Sequence, residues 1–347
     1  MIKVGIVGVA GYGGGELVRL LAGHPDVELA YLCSETYKGQ DIGTALPNLK
    51  GFLKTECKSY DPSEAAKKCE VLFMAQHNGW AMKEAGALLD AGVKVIDLSA
   101  DFRLKAPGMY EEWYKSPQES QKLAEEAVYG LPELYAKEIA GARLIANPGC
   151  YPTSAILALA PLLKEKLVDP ETIIIDSKSG VSGAGRSTFK LDYHFPELNG
   201  SMKAYNIGIH RHTPEIEQEL GRVAGKSVTV SFTPHLIPVT RGILTTAYGK
   251  MNGSQSTEEL VDLYKKFYKT STFVVVLDAG EYPATKNTFG SNFCHIGLKV
   301  DKRTGRVVVI SALDNLVKGM SGTAVQNMNL MFGLDERTGL QMLGVSP

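Results

Sequence analysis

The chain has 347 residues, 44% of them hydrophobic and 22% charged, with a formal net charge of −1 at pH 7. That is globular composition at a length that favours two domains, each with its own core, and near-neutrality excludes a general basic field for nucleic acid or membrane. Five cysteines (33, 57, 69, 150 and 294) form no CxxC pair and no metal-ligand spacing, so no metal is expected; their odd number, a strand-like start and the lack of any apolar run near roughly 20 residues point to a cytoplasmic protein.

Residues 3–7 read as a β-branched strand ending in Gly8-Val9-Ala10-Gly11-Tyr12-Gly13-Gly14-Gly15, followed by a helical pattern (Leu17, Val18, Leu20, Leu21) and a second strand over 28–33. Strand, glycine turn, helix and strand is the context a dinucleotide-binding turn requires, with Gly8, Gly11 and Gly14 letting backbone N–H groups approach a pyrophosphate at the helix start. Tyr12 and Gly13 lie in the same turn. After the second strand comes Cys33-Ser34-Glu35-Thr36-Tyr37-Lys38. Ser34 and Thr36 can donate to a 2′-phosphate and Lys38 can neutralise it, which favours NADP over NAD; Glu35 argues for NAD unless it turns outward.

Strands over 71–74 and 93–97 enclose a helix over 80–91, an alternation that implies a doubly wound parallel sheet. Arg103, in the segment after the 93–97 strand, either clamps a phosphate or carboxylate or pairs with Asp97 or Asp101. The run 144–146 leads into Asn147-Pro148-Gly149-Cys150-Tyr151-Pro152-Thr153 and a long apolar helix. Cys150 is thus expected at a helix entrance, where unpaired N–H groups and the helix dipole favour a thiolate nucleophile and can hold an oxyanion. The alternative is a buried structural cysteine, the expectation for the other four.

Beyond it the spacing predicts strands over 172–177, 227–233, 272–277, 293–300 and 307–311, with helices over 214–223 and 258–269, the second behind a Ser256/Glu259 capping box. Many strands with few helices suggest an α+β domain with a mostly antiparallel sheet. Tyr205-Asn-Ile-Gly-Ile-His210-Arg211-His212-Thr213-Pro214-Glu215 puts two histidines just before a helix, where a neutral imidazole is favoured and can serve a cysteine as acid/base. The small-residue loop from Ser179 to Arg186, with Ser182 and Gly183 at its middle, either wraps a substrate or turns a corner, and Arg241 either binds an anion or ends a strand. A last helix is predicted from about Asp314 to Phe332; the small residues at its start, near Asn315, suit a cofactor or a tight packing contact equally.

The cysteine motif, the His210-Arg211-His212 block and Asp314-Asn-Leu-Val-Lys-Gly319 together resemble the N-acetyl-γ-glutamyl-phosphate reductase family of the aspartate-semialdehyde dehydrogenase superfamily, along the whole chain. The resemblance implies a Rossmann NADP-binding domain (residues 1–147 with 316–347) and an α+β catalytic and dimerisation domain (148–315) like that of glyceraldehyde-3-phosphate dehydrogenase. It also implies a homodimer or homotetramer. By this resemblance Cys150 is the nucleophile, His210 or His212 the acid/base, and Arg103 lies near the substrate phosphate. Asn147, Tyr205 and Arg241 join it as substrate-binding candidates; Gly8, Gly11, Tyr12, Gly13, Gly14, Ser34, Lys38, Ser182, Gly183 and Asn315 are the cofactor-binding candidates. NADPH would reduce the acyl phosphate through a Cys150 thioester, in arginine biosynthesis. A carrier-linked aminoadipyl-phosphate reductase of lysine biosynthesis and a non-catalytic NADP sensor are the alternatives. Gln76-His77-Asn78-Gly79 departs from the Leu-Pro-His-Gly of many relatives, and Ser154 stands where they carry Gly or Ala.

Overall fold

In the computed structural model, which describes residues 1–345, the run Ile2–Val7 forms β1, buried over its last four residues. β1 pairs in parallel with β2 (Val27–Cys33) on one side and β3 (Val71–Met74) on the other. β4 (Lys94–Asp97), β5 (Val128–Tyr129) and β6 (Leu144–Ala146) complete a six-stranded, all-parallel sheet in the order β2-β1-β3-β4-β6-β5. Every residue of β3 and β6 is buried, as a sheet covered on both faces requires. The chain steps out to β2 and returns to β3 on the other side of β1. That reversal makes a crevice at the carboxyl ends of β1 and β3, where ligands of open α/β sheets bind.

The helices of this first unit include α1 (Tyr12–Leu21), α2 (Ala81–Asp90) and α3 (Pro132–Ala140). α1 buries Leu17, Val18, Leu20 and Leu21, the stripe its spacing predicts. The unit comprises Met1–Pro148, Gly185–Ser187 and Met320–Gln341.

The second unit holds Gly149–Ala184, Thr188–Gly319 and residues 342–345. It opens with α4 (Cys150–Lys164), of which all but the two end residues are buried. Then come β7 (Ile173–Ser179), β8 (Lys203–Ala204), α5 (Thr213–Ala224), β9 (Val230–Leu236), β10 (Ile243–Lys250), α6 (Thr257–Phe267), β11 (Val274–Val276), β12 (Cys294–Asp301) and β13 (Arg306–Leu313). The sheet order is β11-β12-β13-β10-β7-β9-β8. Four of its pairings are antiparallel, while β7–β9 and β11–β12 are parallel. The expected architecture, a doubly wound parallel sheet plus a mostly antiparallel α+β unit, is therefore the one observed.

The sequence reading missed β5, β8 and α3, and two further differences bear on the second sheet and the last helix. β10, central to the second sheet, was not expected. Its inward positions are Ile243, Thr245, Ala247 and Gly249, too small and polar to register as apolar alternation. The last helix does not run unbroken from Asp314: the Asp314 carboxylate accepts from the N–H groups of Leu316 (2.8 Å) and Val317 (3.2 Å), a π turn covers Val317–Ser321, and only then does α7 (Gly322–Met331) begin. Among the described residues no helix is long and apolar enough to cross a membrane.

Candidate active site

The glycine turn after β1 is as tight as its composition predicts. Gly8 adopts φ +93°, and a Cβ on Gly14 would lie 2.1 Å from the Gly8 carbonyl oxygen. Gly11 caps α1 with extended backbone and no side-chain cap, so the first N–H groups of α1 are available to an anion. Tyr12 and Gly13 occupy the first turn of α1. Arg186, at the end of the 179–186 loop, donates from Nη1 to the carbonyls of Ala10 (3.0 Å) and Ala45 (3.1 Å) and holds this turn in place. At the end of β2, Ser34 is buried and Lys38 is exposed in the turn that follows. A cavity of about 140 Å³ opens there, lined by Val7, Ser34, Glu35, Tyr60 and Trp80 among others. Uncapped helix N–H groups, a hydroxyl, a lysine and an aromatic-walled cavity fit a phosphorylated dinucleotide.

The departure at 76–79 is absorbed locally. Asn78 Oδ1 accepts from Ala100 N–H (3.1 Å), and Gly79, at φ +88°, donates its N–H to Asp101 (2.7 Å). Asp101 also accepts from Met82 N–H and the Tyr110 hydroxyl, and so fixes the start of α2. Asp97 beside it is fully buried; burial first and the Asp101 charge second push its carboxyl up to about 7. Arg103 is buried, with Nε donating to Asn147 O (2.8 Å) and Nη2 to Leu98 O (3.0 Å), so it joins the ends of β4 and β6. Asn147 is completely buried: its amide N–H donates to Met320 O (3.0 Å) and its oxygen accepts from Asn327 (3.1 Å). Arg103 and Asn147 thus sit together, held by backbone and amide partners.

In the second unit, Cys150 is the first residue of α4, behind Gly149 in extended conformation. The first bond along the helix, Thr153 N–H to Gly149 O (2.9 Å), begins past it, so the thiol stands at the positive end of the helix. Gly149 N–H donates to Glu215 Oε1 (2.8 Å), a completely buried carboxylate in the first turn of α5. One side chain thereby joins the N-termini of both helices. Gly319 comes close to the nucleophile: a Cβ there would meet Cys150 Cβ at 2.9 Å. The other four cysteines are buried, and burial pushes the Cys33 and Cys69 thiols up to about 12. Cys150 is half-buried.

His210 is walled by rings: Tyr151 at 5.6 Å, Tyr205 at 5.5 Å, Phe232 at 5.4 Å and His212 at 4.9 Å between centroids. Burial, reinforced by the Arg211 charge, lowers its pKa to about 4, so it is neutral at pH 7. Its Nδ1 accepts from His212 N–H (3.1 Å), which puts the ring proton on Nε2. His212 is half-buried against the Tyr151 ring at 5.9 Å. The Tyr205 hydroxyl donates to Tyr151 Oη (3.1 Å), which donates to His235 O (3.3 Å). Burial and nearby negative charge, Cys150 included, raise both tyrosines and keep them protonated. Cys150, Tyr205, His210 and His212 therefore form one cluster, to which Tyr151, Phe232, Glu215 and Gly319 are additions the sequence reading did not single out; the Thr213-Pro214-Glu215 helix start was the available signal for Glu215.

Ser182, Gly183, Asn315 and Arg241 gather in the same unit, where Ser179 hydrogen-bonds the Tyr151 side chain. Asn315 donates to Ser182 Oγ (2.9 Å) and accepts from Gly242 N–H (2.7 Å), locking the loop against the turn before β10. A Cβ on Gly183 would lie 3.4 Å from Ser179 Oγ. Arg241 Nη1 lies 3.5 Å from the buried Asp314 carboxylate, and its guanidinium stands over the Phe289 ring at 5.9 Å. Among the described residues no group of three or more His, Cys, Asp or Glu side chains is arranged to hold a metal.

One unit with a parallel dinucleotide-type sheet and another with a cysteine–histidine centre agree with the semialdehyde dehydrogenase family models that match here: the NAD binding domain over residues 3–142 and the dimerisation domain over 150–315. Similar solved structures include aspartate semialdehyde dehydrogenase II from Vibrio cholerae (TM-score 0.72, 17% identity, 96% of this chain and 99% of that one) and aspartate semialdehyde dehydrogenase with NADP from Candida albicans (TM-score 0.67, 15% identity, 96% and 98%); these speak for the fold. Much nearer in sequence are proteins named N-acetyl-gamma-glutamyl-phosphate reductase. That of Pelotomaculum thermopropionicum is 53% identical over 100% of this chain and 99% of its own, and that of Symbiobacterium thermophilum 54% over 99% and 98%. The chain belongs to the N-acetyl-γ-glutamyl-phosphate reductase family.

Proposed function

We propose that this chain is an NADPH-dependent oxidoreductase that converts N-acetyl-γ-glutamyl phosphate to N-acetyl-glutamate-γ-semialdehyde and phosphate, in the cytoplasm, as a step of arginine biosynthesis. The observation that carries the reading is Cys150 at the head of α4, next in sequence to Tyr151, whose ring packs on those of His210 and His212, in a chain about half identical, end to end, to reductases of that name. The same identity disfavours a carrier-linked aminoadipyl substrate or a silent sensor.

Chemistry assigns the roles. The Cys150 thiolate attacks the acyl carbon, a C–S bond forms, and the C–O bond to phosphate breaks with its electron pair on phosphate. A thioester on Cys150 remains, and no separate base is needed because phosphate leaves readily. Bound NADPH supplies the hydride that reduces the acyl group to the aldehyde level. N–H groups at the start of α4 stabilise the oxygen as it gains negative charge. His210, held neutral with a pKa of about 4, donates from Nε2 and orients the group. His212, half-buried and in contact with Tyr151, moves the proton. Release of the aldehyde returns the thiolate to Cys150.

The glycine turn, Ser34 and Lys38 would hold the dinucleotide, with Tyr12 along its edge. Arg103, Tyr205 and Arg241 would meet the anionic ends of the substrate, and Asn147 would hold Arg103 rather than the substrate. Ser182, Gly183 and Asn315 would shape the loop around the ligands. The unit matched by the dimerisation model would join two copies of the chain. The test is the reverse reaction: protein, N-acetyl-glutamate-γ-semialdehyde, phosphate and NADP, with NADPH absorbance followed against aspartate semialdehyde as control. Phosphate-dependent NADPH formation with the acetylated aldehyde alone is expected. Activity with neither aldehyde would sink the proposal.

A further inference from the structure

Glu35 follows β2 about 20 residues past the glycine turn, where a fold that prefers NAD keeps an acid for the ribose 2′-OH. Here the carboxylate is engaged elsewhere. Its Oε2 accepts from Ser59 Oγ (3.0 Å) and its Oε1 from Tyr60 N–H (3.1 Å). The loop that makes these bonds is anchored to β2 by Ser34 N–H to Lys58 O (3.0 Å) and Lys58 N–H to Leu32 O (2.8 Å). Glu35, Ser34 and Tyr60 all line the cavity at the end of β2, so the tie lies at its wall. Ser34 Oγ accepts from Tyr37 N–H (3.3 Å), which leaves its own proton to donate.

We propose that the Ser59–Glu35 tie is a coenzyme discriminator: Ser59, acting through Glu35, withdraws the carboxylate from the ribose position so that Ser34 and Lys38 can take a 2′-phosphate. The inference rests on the nucleotide reading above. Released, the carboxylate would accept from the 2′-OH of NAD and repel the doubly charged 2′-phosphate of NADP, so one tie acts on both coenzymes in opposite directions. Ser59 is a positioning residue. It is exposed, and its carbonyl, which accepts from the Tyr31 hydroxyl (2.9 Å), is untouched by a change of side chain.

The experiment is titration calorimetry of the full-length protein with NADP and with NAD, for wild type, Ser59→Ala, Ser59→Thr, Glu35→Gln and the Ser59→Ala/Glu35→Gln pair. Ser59→Ala is expected to cut the NADP-over-NAD ratio of affinities at least fivefold. Ser59→Thr, which keeps the hydroxyl, should preserve the ratio, and Glu35→Gln should restore it in the Ser59→Ala background. An unchanged ratio in Ser59→Ala, a wild-type ratio near one, or a severalfold loss of NAD affinity from Glu35→Gln alone would overturn the discriminator. A folded wild type that binds neither coenzyme would overturn the nucleotide reading itself, and the discriminator with it.

Discussion

Cys150 differs from the other four cysteines in surroundings rather than in kind. Cys33 and Cys69 sit in apolar cores that hold their thiols protonated, whereas Cys150 meets the N-terminus of α4 and polar rings. Alkylation of the native protein near neutral pH should therefore modify one thiol quickly and the rest only on unfolding, as peptide mass mapping would report. Cys150→Ser should abolish turnover yet leave NADPH affinity within about twofold; a serine variant at wild-type rate would end the covalent scheme. His210 adds a pH dependence of defined sign. Its folded pKa of about 4 lies below the ordinary 6.5, so the unfolded chain takes the proton first. Stability is complete above pH 6.5 and drains as pH falls toward 4, by about 3 kcal/mol. Urea unfolding across that range should show the slope in wild type and a flatter profile in His210→Gln. The Pro-Gly-Cys and His-Arg-His motifs were legible because a helix start is a local matter. The ring cage around His210 was not, since Phe232 and Tyr151 reach it from β9 and α4.

At the scale of elements, the glycines of the first turn are not equivalent. A Cβ on Gly14 meets backbone at 2.1 Å, which cannot move without breaking the turn, whereas on Gly11 the nearest contact is 3.5 Å, an ordinary distance. Gly14→Ala should weaken NADPH binding at least tenfold, while Gly11→Ala changes it only a few-fold; calorimetry separates the two. In the second unit, Thr245 of β10 lies opposite Ser177 of β7 and Ser311 of β13 on a single rung. Ser154 of α4 reaches down to it, with Oγ 2.9 Å from Thr245 Oγ1 and 2.7 Å from Ser311 Oγ, and Ser177 Oγ lies 2.8 Å from Thr245 Oγ1. All four hydroxyls are fully buried. Ser154→Ala should cost about 1–3 kcal/mol by leaving buried partners short, read in denaturant unfolding with KM unchanged. The small, polar inward face of β10 that hides it from a periodicity search is what lets α4 settle onto the sheet. Ser154, legible only as a mild departure from its relatives, is the centre of that contact.

For the molecule as a whole, the chain does not divide at one point. It leaves the parallel-sheet unit after Pro148 and supplies Met320–Gln341 to it again at the end. α7 is buried on nearly every side and packs on α1, α3 and β4. Two of its buried asparagines bond to distant segments: Asn329 Oδ1 with His24 Nε2 at 2.9 Å, and Asn327 Nδ2 to Gly130 O at 2.9 Å. Deleting residues 320–347 should leave the first unit without a cooperative unfolding transition and without nucleotide binding, as circular dichroism and calorimetry would show. A truncated chain that still bound NADPH normally would refute this. Neighbours along the chain suffice for the glycine turn after β1, the cysteine at a helix start, the Ser256/Glu259 capping box and the strand–helix alternation that makes a parallel sheet. Folding alone set where Glu35 turns, the engagement of Asn147 and Asn315 by protein amides and hydroxyls, and the joining of two helix starts by Glu215. The reason is physical. Backbone propensity and capping act over a few residues, whereas the partner of a buried polar group is set by whichever distant segment the fold brings within about 3 Å.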